Sequence, residues 1–149
     1  MKLLPLLSVS LVAVLALVGC DRIDPDSPLG KRKAIYQQML KVTDDMGGML
    51  RERLEFDPER FVSDAARLDQ LSRQPWQHYP DAKEAQSDAR ADVWQQQERF
   101  HELARNLEAR TAALVGATVS GPVTAESVAP AFKQVEDACE ACHKEFRAY

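Results

Sequence analysis

A chain of 149 residues with 45% hydrophobic and 28% charged side chains has room for one domain and enough apolar content to fold, which excludes wholesale disorder. Its net charge of -4 offers no electrostatic footprint for a polyanion, so no nucleic-acid partner is expected. Three cysteines are too few for a disulfide scaffold, and their odd number calls for separate roles.

Residues 1–19 read as an export signal. Lys2 gives a positive start, and Leu3 to Val18 is almost wholly apolar, broken by Pro5, Ser8 and Ser10. That run is shorter than the ~20 residues a spanning helix needs and fits the apolar core of a signal peptide. It ends in Leu17-Val18-Gly19-Cys20, which resembles the lipobox of bacterial lipoproteins, where the cysteine is acylated and becomes the new N-terminus. A plain signal peptide ending in cysteine by accident is the competing reading, but no A-x-A-like arrangement stands beside Cys20. The expectation is a periplasmic domain tethered to a membrane through lipidated Cys20. Asp21 resembles an inner-membrane retention signal, and residues 20–27, with Pro25, form the tether.

Helix signals fill the remaining domain, 28–149. Ser27-Pro28 reads as an N-cap followed by a proline at the first helical position, and Ile35, Met39, Val42, Met46 and Met49 form one stripe. Asp57-Pro58 repeats the cap, and Phe61, Ala65 and Leu68 form a second stripe ending before Pro75. Gln74 to Ala89, with Pro75 and Pro80, has no stripe and is expected to be a long loop holding one short helical turn. Such a loop is longer than a bundle needs, which makes it a functional candidate. A third helix is expected from about Arg90 to Val115, with Val93, Phe100, Leu107 and Leu114 at heptad spacing and Gly116 as its stop. The last helix follows the Gly121-Pro122 turn and carries Val128, Phe132, Val135, Cys139, Cys142 and Phe146, with Pro130 at its first turn or at a kink. Four such segments without β-branched alternation predict an all-α, antiparallel four-helix bundle.

The chemistry sits on the last helix. Cys139-Glu140-Ala141-Cys142-His143 is the attachment signature of c-type haem. Thiols at i and i+3 share one helical face and can add to two vinyl groups. At about 100° per residue, His143 lies about 40° from Cys139, so its imidazole can reach the iron from the same face. Three other readings compete. A redox dithiol would sit at a helix start after a strand, a structural zinc would want four ligands, and a disulfide across one helical turn would be strained. His78 and His101 are expected at surface or boundary positions. Charge runs such as Arg51-Glu52-Arg53 read as solvated faces with local ion pairs.

A single signature at the C-terminal end of a four-helix chain resembles the cytochrome c′ family. The resemblance runs from Pro28 to the C-terminus. It rests on Val135, Cys139, Cys142, His143, Phe146 and Arg147, on Pro75-Trp76, Tyr79 and Trp94, on Arg32, and on Asp88-Ala89-Arg90. It implies one covalent haem c held by Cys139 and Cys142, with His143 as the proximal iron ligand and Arg147 on the proximal side. It further implies Arg32 near a haem propionate, and Lys33 (where the family often has Gln) and Asp88 bordering the macrocycle. Tyr36 occupies the position facing the iron's sixth site.

With no methionine at Tyr36, the resemblance implies a five-coordinate, high-spin haem that exchanges electrons and binds nitric oxide or carbon monoxide. The alternative is a low-spin electron-transfer protein in which Met39, one turn further on, supplies a sixth ligand and raises the potential. A structural helical lipoprotein without haem is the third possibility. Redox partner proteins and a diatomic ligand are the implied partners, and pairing of two copies through the first two helices is an option. No acid-base or nucleophile set accompanies the signature, so no enzymatic activity is expected.

Overall fold

The computed structural model describes residues 23–148; Cys20 and the export signal lie outside them, as does Tyr149. In chain order the helices are α1 (Pro28–Leu50), α2 (Pro58–Ser72), a one-turn α3 (Asp92–Gln95), α4 (Gln97–Val119) and α5 (Ala125–Phe146). A single 3-10 turn, Pro75–His78, supplies the short helical turn expected in the long loop. No strand forms among the described residues, and one antiparallel bridge joins Ala89 to Arg147.

Local chemistry starts the helices where the sequence predicts. The Ser27 hydroxyl accepts from the Gly30 N–H at 3.0 Å, and the Asp57 carboxylate accepts from the Arg60 N–H at 3.1 Å, each followed by proline. Gly30 is set by a close approach: a Cβ there would run into the Asp24 carbonyl oxygen. α5 opens on a reciprocal box. Thr124 Oγ1 accepts from the Ser127 N–H at 3.2 Å, and Ser127 Oγ accepts from the Thr124 N–H at 2.9 Å. Pro130 lies exposed in the second turn of α5, and the helix continues through it.

Paired side chains fix the register. Asp45 meets Arg60 and Gln38 meets Arg67, so α1 and α2 run antiparallel. Thr111 bonds Asp69 and Ser72 while Glu108 takes the Trp76 indole N–H, which sets α4 against α2 and the turn after it. Arg110 meets Gln134 and Arg99 meets Glu145, which sets α5 against α4. Every residue of the predicted stripes on α1 and α2 is buried, and these join Leu107, Leu114, Val128, Phe132 and Val135 in one core. Phe61 and Phe132 meet edge to face across it at 6.4 Å.

Two expectations fail. The third helix is split at Gln96, whose φ of -124° and ψ of 49° leave the helical region. The Gln96 N–H closes α3 on the Asp92 carbonyl, and its own carbonyl opens α4 by accepting from Phe100. The break lets Val93 stay buried while the Trp94 indole N–H reaches the Pro80 carbonyl at 2.7 Å. Tertiary contact thus overrides the heptad pattern. Gly116 does not stop α4 either. It takes no positive φ, and the helix runs on to Val119. The Arg51 and Arg53 pairs also differ from a purely local pattern: Arg51 crosses to Glu136 on α5, and Arg53 reaches back to Asp44.

The buried hydroxyl pair between α2 and α4 offers a test of this packing. Thr111 Oγ1 lies 3.0 Å from Ser72 Oγ and donates to Asp69 at 2.9 Å. Thr111→Val keeps the shape and removes the hydroxyl, so stability should fall by about 1 kcal/mol. Urea unfolding would show a lower midpoint with an unchanged slope.

Candidate functional site

Three parts of the chain converge where α5 ends. They are the first half of α1, the loop from Tyr79 to Ala91, and the last two turns of α5. Cys139 packs against the main core. Cys142 packs against a second cluster built from Val93, Phe100, Leu103 and Phe146. Both are free, half-buried thiols. Burial pushes each up to about 11, helped by Cys142 and Glu136 at Cys139 and by Glu145 at Cys142. Thiols this reluctant to ionise, at the C-terminal end of a helix, are the opposite of an activated redox pair. Among the described residues no three His, Cys, Asp or Glu side chains gather into a metal site.

His143 follows on the exposed side of α5. Desolvation of its ring, and behind that the Arg147 charge, lower its pKa below the ordinary imidazole value. The neutral ring, with a nitrogen lone pair available to a metal, is therefore the favoured form. Arg147 is exposed, and the backbone on either side of it ties the end of α5 to the loop. Its N–H donates to the His143 carbonyl, the Arg90 N–H donates to the Phe146 carbonyl at 2.8 Å, and the Ala148 N–H donates to the Asp88 carbonyl at 2.7 Å.

The loop is pinned to α1 as firmly. Arg32 is only 2% exposed. Its guanidinium donates to both Glu84 carboxylate oxygens (3.0 and 2.7 Å), to the His78 carbonyl at 2.7 Å and to Ser87 Oγ at 3.1 Å. It also lies 4.3 Å from the centroid of the Tyr79 ring. Lys33 pairs with Asp88 at 3.1 Å, and Asp88 is largely exposed. Residues 79–91 thus form a strap between α1 and the end of α5, held by ion pairs on one side and backbone hydrogen bonds on the other.

Aromatic rings fill the space beneath the strap. Phe100 is the hub, edge-on to Trp76 (5.8 Å), Tyr79 (4.9 Å) and Phe146 (5.4 Å). Trp94 stands 6.2 Å from Tyr79. Tyr36 reaches this wall from α1, its hydroxyl 3.1 Å from that of Tyr79. Burial holds the Tyr36 phenol well above its ordinary value of 10.0, with Tyr79 adding to the shift. Both phenols therefore stay neutral near pH 7.

The structure brings Arg32, Lys33, Tyr36, Asp88, Cys139, Cys142, His143 and Arg147 to one end of the bundle. Met39 is not among them in the same sense; it is buried in the main core with Ile35 and Val42. His101 is exposed, and His78 contributes its carbonyl. Glu84 and Ser87 were missed by sequence reasoning. A charged or polar residue in a loop carries no local sign of a partner more than fifty positions away. The Tyr79 hydroxyl was missed too, although its ring was noticed.

Comparison with known proteins decides the family. A profile described as Cytochrome C' matches residues 27–147. The chain belongs to the cytochrome c′ family. Solved structures agree on the fold. A cytochrome c prime from Shewanella frigidimarina is 23% identical, with a TM-score of 0.78 over 87% of this chain and all (100%) of that one. A cytochrome c′ from Thermochromatium tepidum is 25% identical, with a TM-score of 0.74 over 85% of this chain and 98% of that one. A nitric oxide complex of a mutant cytochrome c prime from Alcaligenes xylosoxidans is 21% identical, with a TM-score of 0.75 over 87% of this chain and 99% of that one. No curated protein sequence matches.

Cytochromes c′ carry one covalent haem c. The residues present fit that group. Two free thiols stand at i and i+3 beside an apolar, aromatic wall, with a neutral imidazole one residue on.

Proposed function

We propose that this cytochrome c′ holds a five-coordinate, high-spin haem c that exchanges electrons and binds nitric oxide or carbon monoxide. When bound, the haem supplies a one-electron iron centre with a coordination position open to a diatomic. Cys139 and Cys142 hold it through thioether bonds, and His143 presents its imidazole to the iron. Arg147 brings a positive charge to the His143 side. Arg32 braces the strap that borders the group, and Lys33 and Asp88 close its edge with their ion pair. The observation that carries the reading is Tyr36, a neutral, half-buried phenol on α1 that packs against the main core and meets the Tyr79 hydroxyl of the aromatic wall. Such a group is a poor ligand, and it crowds the pocket against anything larger than a diatomic. Relatives of the same fold support it, since structures of variants of the Alcaligenes xylosoxidans protein are described as nitric oxide and carbon monoxide complexes.

The Met-ligated alternative requires Met39 to leave the core stripe it shares with Ile35 and Val42. A spectrum separates the two. The ferrous protein is expected to show a broad Soret and poorly split visible bands. Sharp α and β bands that vanish in Met39→Ala would establish the alternative instead; sharp bands that survive would reject both.

The same reading includes export. Thioether attachment needs reduced thiols outside the cytoplasm, and the segment ending at Cys20 supplies a route and a lipid tether to the periplasmic face of the inner membrane. Cys20→Ser should release the protein into the soluble periplasm; unchanged membrane retention would count against the tether.

A further inference from the structure

We propose that Tyr79 is a positioning residue for gas binding, its hydroxyl fixing Tyr36 in place. The inference rests on the reading of Tyr36 as the residue facing the sixth site. Tyr79 is itself clamped. The Arg32 guanidinium lies 4.3 Å from its ring centroid, Phe100 meets it edge-on at 4.9 Å, and Trp94 stands 6.2 Å away. Arg32 is in turn held by Glu84, Ser87 and the His78 carbonyl. Among the described residues the Tyr36 side chain has one hydrogen bond, to the Tyr79 hydroxyl at 3.1 Å. A half-buried phenol that gives up this partner loses a net hydrogen bond, because it is only partly open to water there. Any swing of the Tyr36 ring that admits a ligand must therefore break this bond. The rigid strap then sets the barrier to entry through Tyr79. The two hydroxyls also limit each other: one donates and the other accepts, so the pair has a single O–H left to offer an incoming polar ligand.

Tyr79→Phe removes only the hydroxyl and keeps the stack with Arg32, Phe100 and Trp94. Carbon monoxide is the probe, added to the ferrous holoprotein. Association should quicken by roughly two- to tenfold, the range expected for one net hydrogen bond. The same substitution made in a Tyr36→Phe background should change the rate no further. Ultraviolet resonance Raman of the tyrosines gives a second readout, independent of ligand binding. Both single variants should lose the signature of the hydrogen-bonded phenol pair. An unchanged rate in Tyr79→Phe overturns the proposal, as does an undiminished effect of Tyr79→Phe when Tyr36 is already Phe. A protein that binds no carbon monoxide would reject the five-coordinate reading itself. In that case loss of the Raman signature in both variants supports the tyrosine coupling, and its retention overturns it.

Discussion

Replacing Cys139 and Cys142 together by serine should leave a folded protein with no covalently held haem. Both thiols are half-buried, un-ionised and free. Serine is nearly isosteric with cysteine, so the bundle keeps its shape; the main cost is placing two hydroxyls against apolar neighbours. What disappears is the nucleophilic sulfur that thioether formation requires. The measurement is extraction into acidified acetone. All colour should leave the double variant, and none should leave the parent protein. Each single variant should keep one attachment and resist extraction. A double variant that retained its colour would show that attachment does not run through these two residues.

The second large effect is on stability and comes from Arg32. Its guanidinium makes four hydrogen bonds, three to Glu84 and Ser87 of the strap and one to the His78 carbonyl just before it, while almost fully buried. Arg32→Met keeps most of the length and removes every donor. Hydrogen bonds to a charged group contribute more than neutral ones, but Glu84 is about a quarter exposed and regains water when released. The net loss should be roughly 2–4 kcal/mol in urea unfolding. The pH dependence carries its own signature. The Arg32 hydrogen bond holds the Glu84 carboxyl below its ordinary value of 4.5. Its contribution is therefore fully present above pH 4.5 and is lost as pH falls through the lower value of the folded state. Arg32→Met should abolish that part of the acid destabilisation. An acid limb unchanged from the parent would mean that the pair does not stabilise the folded state.

Much of this architecture was legible in the residues because its causes are local. Ser27-Pro28 and Asp57-Pro58 start helices through side-chain caps three positions away, and the structure has both. The stripe from Ile35 to Met49 could face only one way, and it faces the core. The haem signature was readable for the same reason: it lies within five residues of one helix, where spacing alone decides which side chains share a face. Where long-range contact decided the outcome, pattern misled. Val93, Phe100, Leu107 and Leu114 do share burial, yet Gln96 breaks the helix between the first two. Gly116 looked like a stop because glycine so often is one, but nothing there demands a left-handed backbone.

By itself, then, the sequence determined four amphipathic segments, their order, and a pair of thiols with an imidazole at the end of the last one. Those features follow from chemical identity and short-range periodicity. The tertiary structure alone decided that the long loop is a strap, that Arg32 is occupied by Glu84, and that two tyrosines 43 positions apart share a hydrogen bond. The physical reason is that partners in such contacts are chosen by the geometry of packed helices. That geometry exists only once the apolar stripes have been buried together.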